Sequence, residues 1–163
     1  AEGAEQADDI TILAYCAHHS EKTGSRNTLD VTIEADIARI ADVLDEVQAF
    51  ADRVELPTGI GQKLGIILDE LLNNAISYGF EDTSGHHIDV HIHADPGRLT
   101  MKVSDEGIPF NPFSLSKPDT SLGVDDRDIG GLGVMLVKEM TDSQGYERLS
   151  GRNIITLGIE LNN

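Results

Sequence analysis

The sequence predicts an α+β fold, a two-layer sandwich in which a mixed β-sheet carries helices packed on one face. Three observations point there. Stretches in which apolar and polar residues alternate occur near position 30, between 86 and 104, and near the end of the chain. Two longer stretches with apolar residues at helical spacing stand between the first of these and the rest. The resulting order is strand, two helices, hairpin, long irregular stretch, helix, hairpin, which segregates helices to one face of a sheet. At 163 residues the chain has room for one domain with a sizeable core.

Taken in order, Asp8-Asp9-Ile10-Thr11-Ile12-Leu13-Ala14-Tyr15 is expected to form a short strand after an acidic start. His18 to Asn27 is polar, with Gly24 and Ser25, and reads as a linker. Residues 1–27 are therefore set apart from a domain spanning 28–163. Leu29, Val31 and Ile33 alternate as a strand does. Ile37, Ile40, Ala41, Leu44, Val47, Ala51 and Val54 recur at helical spacing, which predicts an amphipathic helix from Ala35 to Val54. Pro57 is placed to start a second helix, with Ile60, Leu64, Ile67, Leu68, Leu71, Leu72, Ala75 and Ile76 inward and Gly79 as its stop. Two strands, near His86 to Ala94 and Arg98 to Ser104, flank the turn Asp95-Pro96-Gly97. Pro109 to Ile129 is irregular, a length that usually signals function. Gly133 to Thr141 reads as helix, and strands near Gln144 to Leu149 and Asn153 to Leu161 turn at Ser150-Gly151-Arg152.

Composition narrows the function. Hydrophobic residues make up 39% and charged residues 25%, as in globular proteins. No apolar run is long enough to span a bilayer, and no signal-peptide pattern opens the chain. The lone Cys16 cannot form an internal disulfide, so a reducing, cytoplasmic setting is expected. A net charge of -17 argues against nucleic-acid or anionic-membrane partners, which need a basic face. It argues less against a nucleotide, because backbone amides and a bound cation can overcome a distant negative field.

Three features carry chemistry, and they occur in a telling order. Leu68-Asp69-Glu70-Leu71-Leu72-Asn73-Asn74-Ala75-Ile76 places Glu70 and Asn74 four apart on one helix face. An Asn amide oxygen is a suitable ligand for Mg²⁺ beside phosphates, and a carboxylate one turn away can accept a proton during phosphoryl transfer. A solvated polar face would show the same pattern. Val103-Ser104-Asp105-Glu106-Gly107-Ile108-Pro109-Phe110-Asn111-Pro112 ends a strand in a carboxylate suited to an exocyclic amine, with Gly107 allowing close approach of a flat ring. Alone, Asp105 could equally cap its own turn. Gly130-Gly131-Leu132-Gly133 opens a helix, where backbone amides can hold phosphates, or else forms a hinge. Together, flanking one long loop, the three point to a nucleotide pocket.

As a set these motifs resemble the Bergerat-fold ATPases, the superfamily of gyrase, histidine kinases and MutL. The Glu70 to Ala75 helix looks like that family's N-box. Asp105-Glu106-Gly107 is similar to its first glycine box and Gly130-Gly131-Leu132-Gly133 to its second. Pro109-Phe110-Asn111-Pro112 and Asp126-Arg127-Asp128-Ile129-Gly130-Gly131-Leu132-Gly133 are most similar to the anti-sigma-factor serine/threonine kinases within it. The likeness covers about Thr28 to Leu161. It implies a Bergerat ATP-binding fold, ATP and Mg²⁺ as cofactors, and phosphorylation of a STAS-domain anti-sigma-factor antagonist in a bacterial partner-switching pathway. By position it implies Glu70 as catalytic base and Asn74 as Mg²⁺ ligand. Asp105 would bind the adenine amine, with Gly107 shaping the pocket and Thr156 assisting through a water. Gly131 and Gly133 would contact phosphates, and Arg127 would approach the γ-phosphate. A sigma factor is a second candidate partner and a homodimer a candidate assembly. Many relatives carry a His shortly after the N-box Asn, where this chain has Ser77-Tyr78-Gly79. Asp8-Asp9-Ile10-Thr11-Ile12-Leu13 is similar to the last metal-binding strand of PPM-type phosphatases, which would make residues 1–27 the tail of such a domain.

Two alternatives stand beside the kinase: an ATP-gated, non-catalytic anti-sigma or STAS-binding module, and a histidine-kinase ATP-binding domain. The first has no need of a base beside the Mg²⁺ ligand. Against the second, no phospho-accepting helix pair is seen before the domain, and His18-His19 falls in the linker. His87, His91 and His93 share a strand face with Asp89, either as a metal site or, more simply, as the polar outer face of a half-buried strand.

Overall fold

The computed structural model describes residues 25–82, 85–114 and 131–161. The strand expected at Asp8 to Tyr15, most of the linker, and Arg127 and Gly130 lie outside them. Among the described residues, five strands and three α-helices follow in the order β1 (Thr28–Glu34), α1 (Ile40–Arg53), α2 (Ile60–Tyr78), β2 (His87–Asp95), β3 (Arg98–Asp105), α3 (Gly131–Met140), β4 (Ser143–Leu149) and β5 (Arg152–Glu160). The strand order is β1-β2-β3-β5-β4. All four ladders are antiparallel, where the sequence reading expected a mixed sheet. The two-layer α+β arrangement itself is as expected.

Alternation decides which sheet face is buried. Leu29 and Ile33 of β1 lie opposite Ile92 and Ile88 of β2. Leu99, Met101 and Val103 of β3 continue that row, and Ile155, Leu157 and Ile159 of β5 complete it. These residues form one core with the inward stripes of α1 and α2. The α2 stripe is the predicted one: Leu64, Ile67, Leu68, Leu71 and Leu72 are all buried. The α1 stripe is rotated from the predicted one. Ile40, Val43, Val47, Phe50 and Ala51 are buried, whereas Ile37 is 58% exposed and precedes the helix in a short 3-10 turn. Pro57 stands before α2 rather than in it, with its carbonyl accepting from the Ile60 amide.

The outer sheet face is polar, as read for β2. His87, Asp89, His91 and His93 point away from the core while Ile88, Val90, Ile92 and Ala94 are buried. His91 bonds Asp30 at 2.6 Å and His93 bonds Asp95 at 3.0 Å. Among the described residues no group of side chains could hold a metal through three or more His, Cys, Asp or Glu. Among the same residues no helix is long and apolar enough to cross a membrane. The β4–β5 connection is a two-residue turn in which Ser150 (φ 50°) and Gly151 (φ 81°) are both left-handed, the geometry that matches hairpin twist.

Candidate nucleotide site

The inward column of the sheet changes character at one end. After Leu99, Met101 and Val103, the next inward residue of β3 is Asp105, and its β5 partner across the ladder is Asn153. Both are buried, at 5% and 3% exposure. A buried carboxylate and amide at a strand end need hydrogen-bond partners, and the following turn supplies them. Asp105 Oδ1 accepts from the Gly107 amide at 2.8 Å and from Asn153 Nδ2 at 2.8 Å.

Gly107 is required by proximity rather than by φ. A Cβ there would lie 2.8 Å from Asp105 Oδ1 and would also strike the carbonyl oxygen of Gly79. That carbonyl accepts from the Ile108 amide at 2.7 Å, which ties the Asp105 loop to the end of α2. Arg148 of β4 closes the turn from the other side, donating to the Gly107 carbonyl at 2.7 Å.

The Pro-punctuated turn after this loop folds back as a short 3-10 turn, Pro112–Ser114. Asn111 Oδ1 accepts from the Phe113 amide at 3.0 Å, and Lys138 of α3 donates to the Phe113 carbonyl at 3.1 Å. These bonds bring α3 over the loop. Beside this turn lies a cleft lined by Leu71, Asn74, Asp105, Phe110, Pro112 and Asn153 among others. An apolar lining with a few convergent polar groups is what a flat heteroaromatic ring needs.

The polar face of α2 meets the start of α3 at the same place. Asn74 Nδ2 donates to Glu70 Oε1 at 2.6 Å, and among the described residues no donor engages the Asn74 amide oxygen, a hard ligand. A Cβ at Gly133 would fall inside the Glu70 carboxylate, so glycine there leaves that carboxylate its place between α2 and α3. The donor set of one amide oxygen beside a carboxylate fits a cation that keeps its other ligands from phosphate and water.

Asn74 and Asp105 thus line one cleft; Glu70 joins it through its bond to Asn74, Gly107 lies against Asp105, and Gly133 lies against Glu70, with Gly131 opening α3. Thr156 does not join them. It pairs with Lys102, on the outward column of β5, while Asn153 and Ile155 hold the inward positions. The expected assistance from Thr156 is corrected accordingly, and Asn153 occupies the place reasoned for it. Asn153 was missed from sequence, although it is the one polar member of the inward column Asn153, Ile155, Leu157, Ile159.

Comparison with known proteins agrees with this geometry. Residues 33–159 match the model of the histidine kinase-like ATPase domain. The chain is 28% identical over 133 residues to the serine/threonine-protein kinase BtrW of Bordetella bronchiseptica, covering 80% of this chain and 91% of that protein. Its fold is similar to that of the RsbU and RsbW domains of Rv1364c from Mycobacterium tuberculosis. There the TM-score is 0.57 at 14% identity, over 83% of this chain, and the match spans only 33% of the other chain. The chain belongs to the histidine kinase-like ATPase domain family, with the Bergerat-type ATP-binding sandwich.

Proposed function

We propose that the chain is a serine/threonine protein kinase that uses Mg²⁺ and ATP to phosphorylate a STAS-domain anti-sigma-factor antagonist in the cytoplasm. The observation that carries this reading is the Glu70 carboxylate, bonded to Asn74 and lying against Gly133 at the start of α3. A module that only bound nucleotide would not need a carboxylate there. The name of the Bordetella relative, a serine/threonine-protein kinase, supports the reaction class. The choice of a STAS protein, a sigma factor as second partner and residues 1–27 as a phosphatase tail rest on the motif resemblance.

Bound Mg·ATP supplies the γ-phosphoryl group and neutralises its charge. Asn74 would hold the cation through its amide oxygen, and Asp105 would receive the adenine amine. The backbone at Gly131 and Gly133 would hold phosphate oxygens at the helix start. The motif resemblance assigns Arg127 to the γ-phosphate. Glu70 takes the proton from the substrate hydroxyl as its oxygen bonds to phosphorus and the bond to the bridging oxygen of ADP breaks.

The test is intact mass spectrometry of the chain mixed with Mg·ATP and the STAS-domain proteins of its genome. One phosphate on one serine or threonine is expected, and Glu70→Gln should retain ATP affinity while transfer falls at least about 100-fold. Transfer that survives Glu70→Gln refutes the base assignment. Nucleotide binding without transfer to any of the panel favours the ATP-gated binding module instead.

A further inference from the structure

Among the described residues Asn153 has five hydrogen-bond partners. Its Nδ2 donates to Asp105 Oδ1 at 2.8 Å and to the Ile108 carbonyl at 2.9 Å. Its Oδ1 accepts from Tyr146 Oη at 2.9 Å, Arg148 Nη1 at 2.8 Å and the Phe110 amide at 3.3 Å. Three of these partners act in one sense only, since a carbonyl must accept while a guanidinium and a backbone N–H must donate. Turning the amide over would set its NH₂ against two donors and its oxygen against the Ile108 carbonyl. The orientation is therefore fixed by the network.

That orientation has a consequence for Asp105. Two fixed donors, the Gly107 amide and Asn153 Nδ2, converge on Oδ1. Among the described residues no hydrogen bond reaches Oδ2, and none of their buried side-chain oxygens lacks a partner. Oδ2 is thus left to the cleft that Asp105 lines. The charged and titratable groups that bond the Asn153 amide are Asp105, Arg148 and Tyr146.

We propose that Asn153, oriented by Arg148 and Tyr146, is a positioning residue that sets nucleotide specificity. It engages Asp105 Oδ1 and leaves Oδ2 to accept from the cleft. The cleft then takes a purine whose 6-substituent donates a hydrogen bond and rejects one whose 6-substituent accepts. The inference rests on the reading of this cleft as the ATP site.

The experiment compares affinities for Mg·ATP and Mg·ITP, which differ at the 6-position, in the wild type, Asn153→Asp and Asn153→Ser at about pH 6 and pH 8. Wild type is expected to prefer ATP by at least about 100-fold, because a site built for one polarity leaves the other unpaired, with a ratio that does not change with pH. In Asn153→Asp two carboxyl groups are adjacent and one proton is shared between them. A carboxyl O–H can then meet the 6-oxo group, so the ratio falls at least tenfold near pH 6 and recovers toward pH 8. Asn153→Ser removes the fixed donor without adding a charge, and carries the test if the Asp variant does not fold. Its ratio is expected to fall at least threefold. Parallel loss of both nucleotides in both variants, with the ratio and its pH profile unmoved, overturns the proposal. So does a wild type that binds ATP and ITP alike. A wild type that binds neither nucleotide overturns the ATP reading itself.

Discussion

A methyl group added at Gly133 would occupy the space of the Glu70 carboxylate. Gly133 is the third residue of α3 and does not have a positive φ, so alanine suits its backbone. The obstacle is the free end of a flexible side chain, which can swing away. Two stability terms then oppose each other. Alanine replaces glycine inside a helix, a gain of about 1 kcal/mol. The Glu70–Asn74 hydrogen bond at 2.6 Å is broken or weakened, a loss of about 1 kcal/mol. The net change is near zero, which for a chain of this length keeps the melting temperature within about 4 °C of wild type. Chemistry has no such compensation. The carboxylate must move by roughly 1 Å or more, and misplacement on that scale costs on the order of 100-fold in rate. Thermal melting by circular dichroism and phosphoryl transfer measured on the same preparations of Gly133→Ala test both halves. A variant melting more than about 10 °C lower, or one that transfers phosphate at the wild-type rate, would show that Glu70 and Gly133 are not packed as described.

Two further outcomes follow from the same geometry. In Asp105→Asn the new amide oxygen can still accept from Gly107 and Asn153, so the fold should lose less than about 1 kcal/mol. Its NH₂ then faces the cleft where an acceptor stood, and affinity for ATP in calorimetric titration should fall about 10- to 100-fold; an unchanged affinity would sink the adenine site. Ser150→Gly relieves a left-handed serine in the β4–β5 turn, at φ 50°. A gain of about 0.5 kcal/mol in urea unfolding is expected, and a loss of more than about 1 kcal/mol would contradict the turn geometry.

The parts of the molecule legible in the sequence are those whose pattern has one solution. The α2 stripe was unambiguous because Leu64, Ile67, Leu68, Leu71 and Leu72 leave no other face to bury. In α1 two stripes competed, since Ile37, Ala41 and Leu44 keep helical spacing as well as Val43 and Phe50 do. Tertiary packing chose the stripe holding Phe50, the largest side chain. The site was legible as three motifs but not as a closed network. Thr156 failed on strand parity, because a shift of one position moves a side chain to the opposite face. Parity would also have exposed Asn153, a lone amide in an apolar column. Arg148 and Tyr146 had no sequence signal at all, because their role arises only when β4 is laid against β5 beside the Asp105 loop. The mixed sheet was expected from the interleaving of helices and strands, yet each described pair is antiparallel, with β3 beside β5 and α3 and β4 between them in sequence.

The claim at the centre of this account is that α2, the Asp105 loop and the start of α3 enclose one ATP site. Amide chemical shifts recorded while Mg²⁺ and a non-hydrolysable ATP analogue are titrated into the chain test it most directly. The account predicts saturable shifts concentrated at Glu70, Asn74, Asp105, Gly107, Gly133 and Asn153, with the Asp30, His91 and Thr156 side of the sheet unmoved. Shifts confined to that outer face, or none anywhere at millimolar nucleotide, would contradict it.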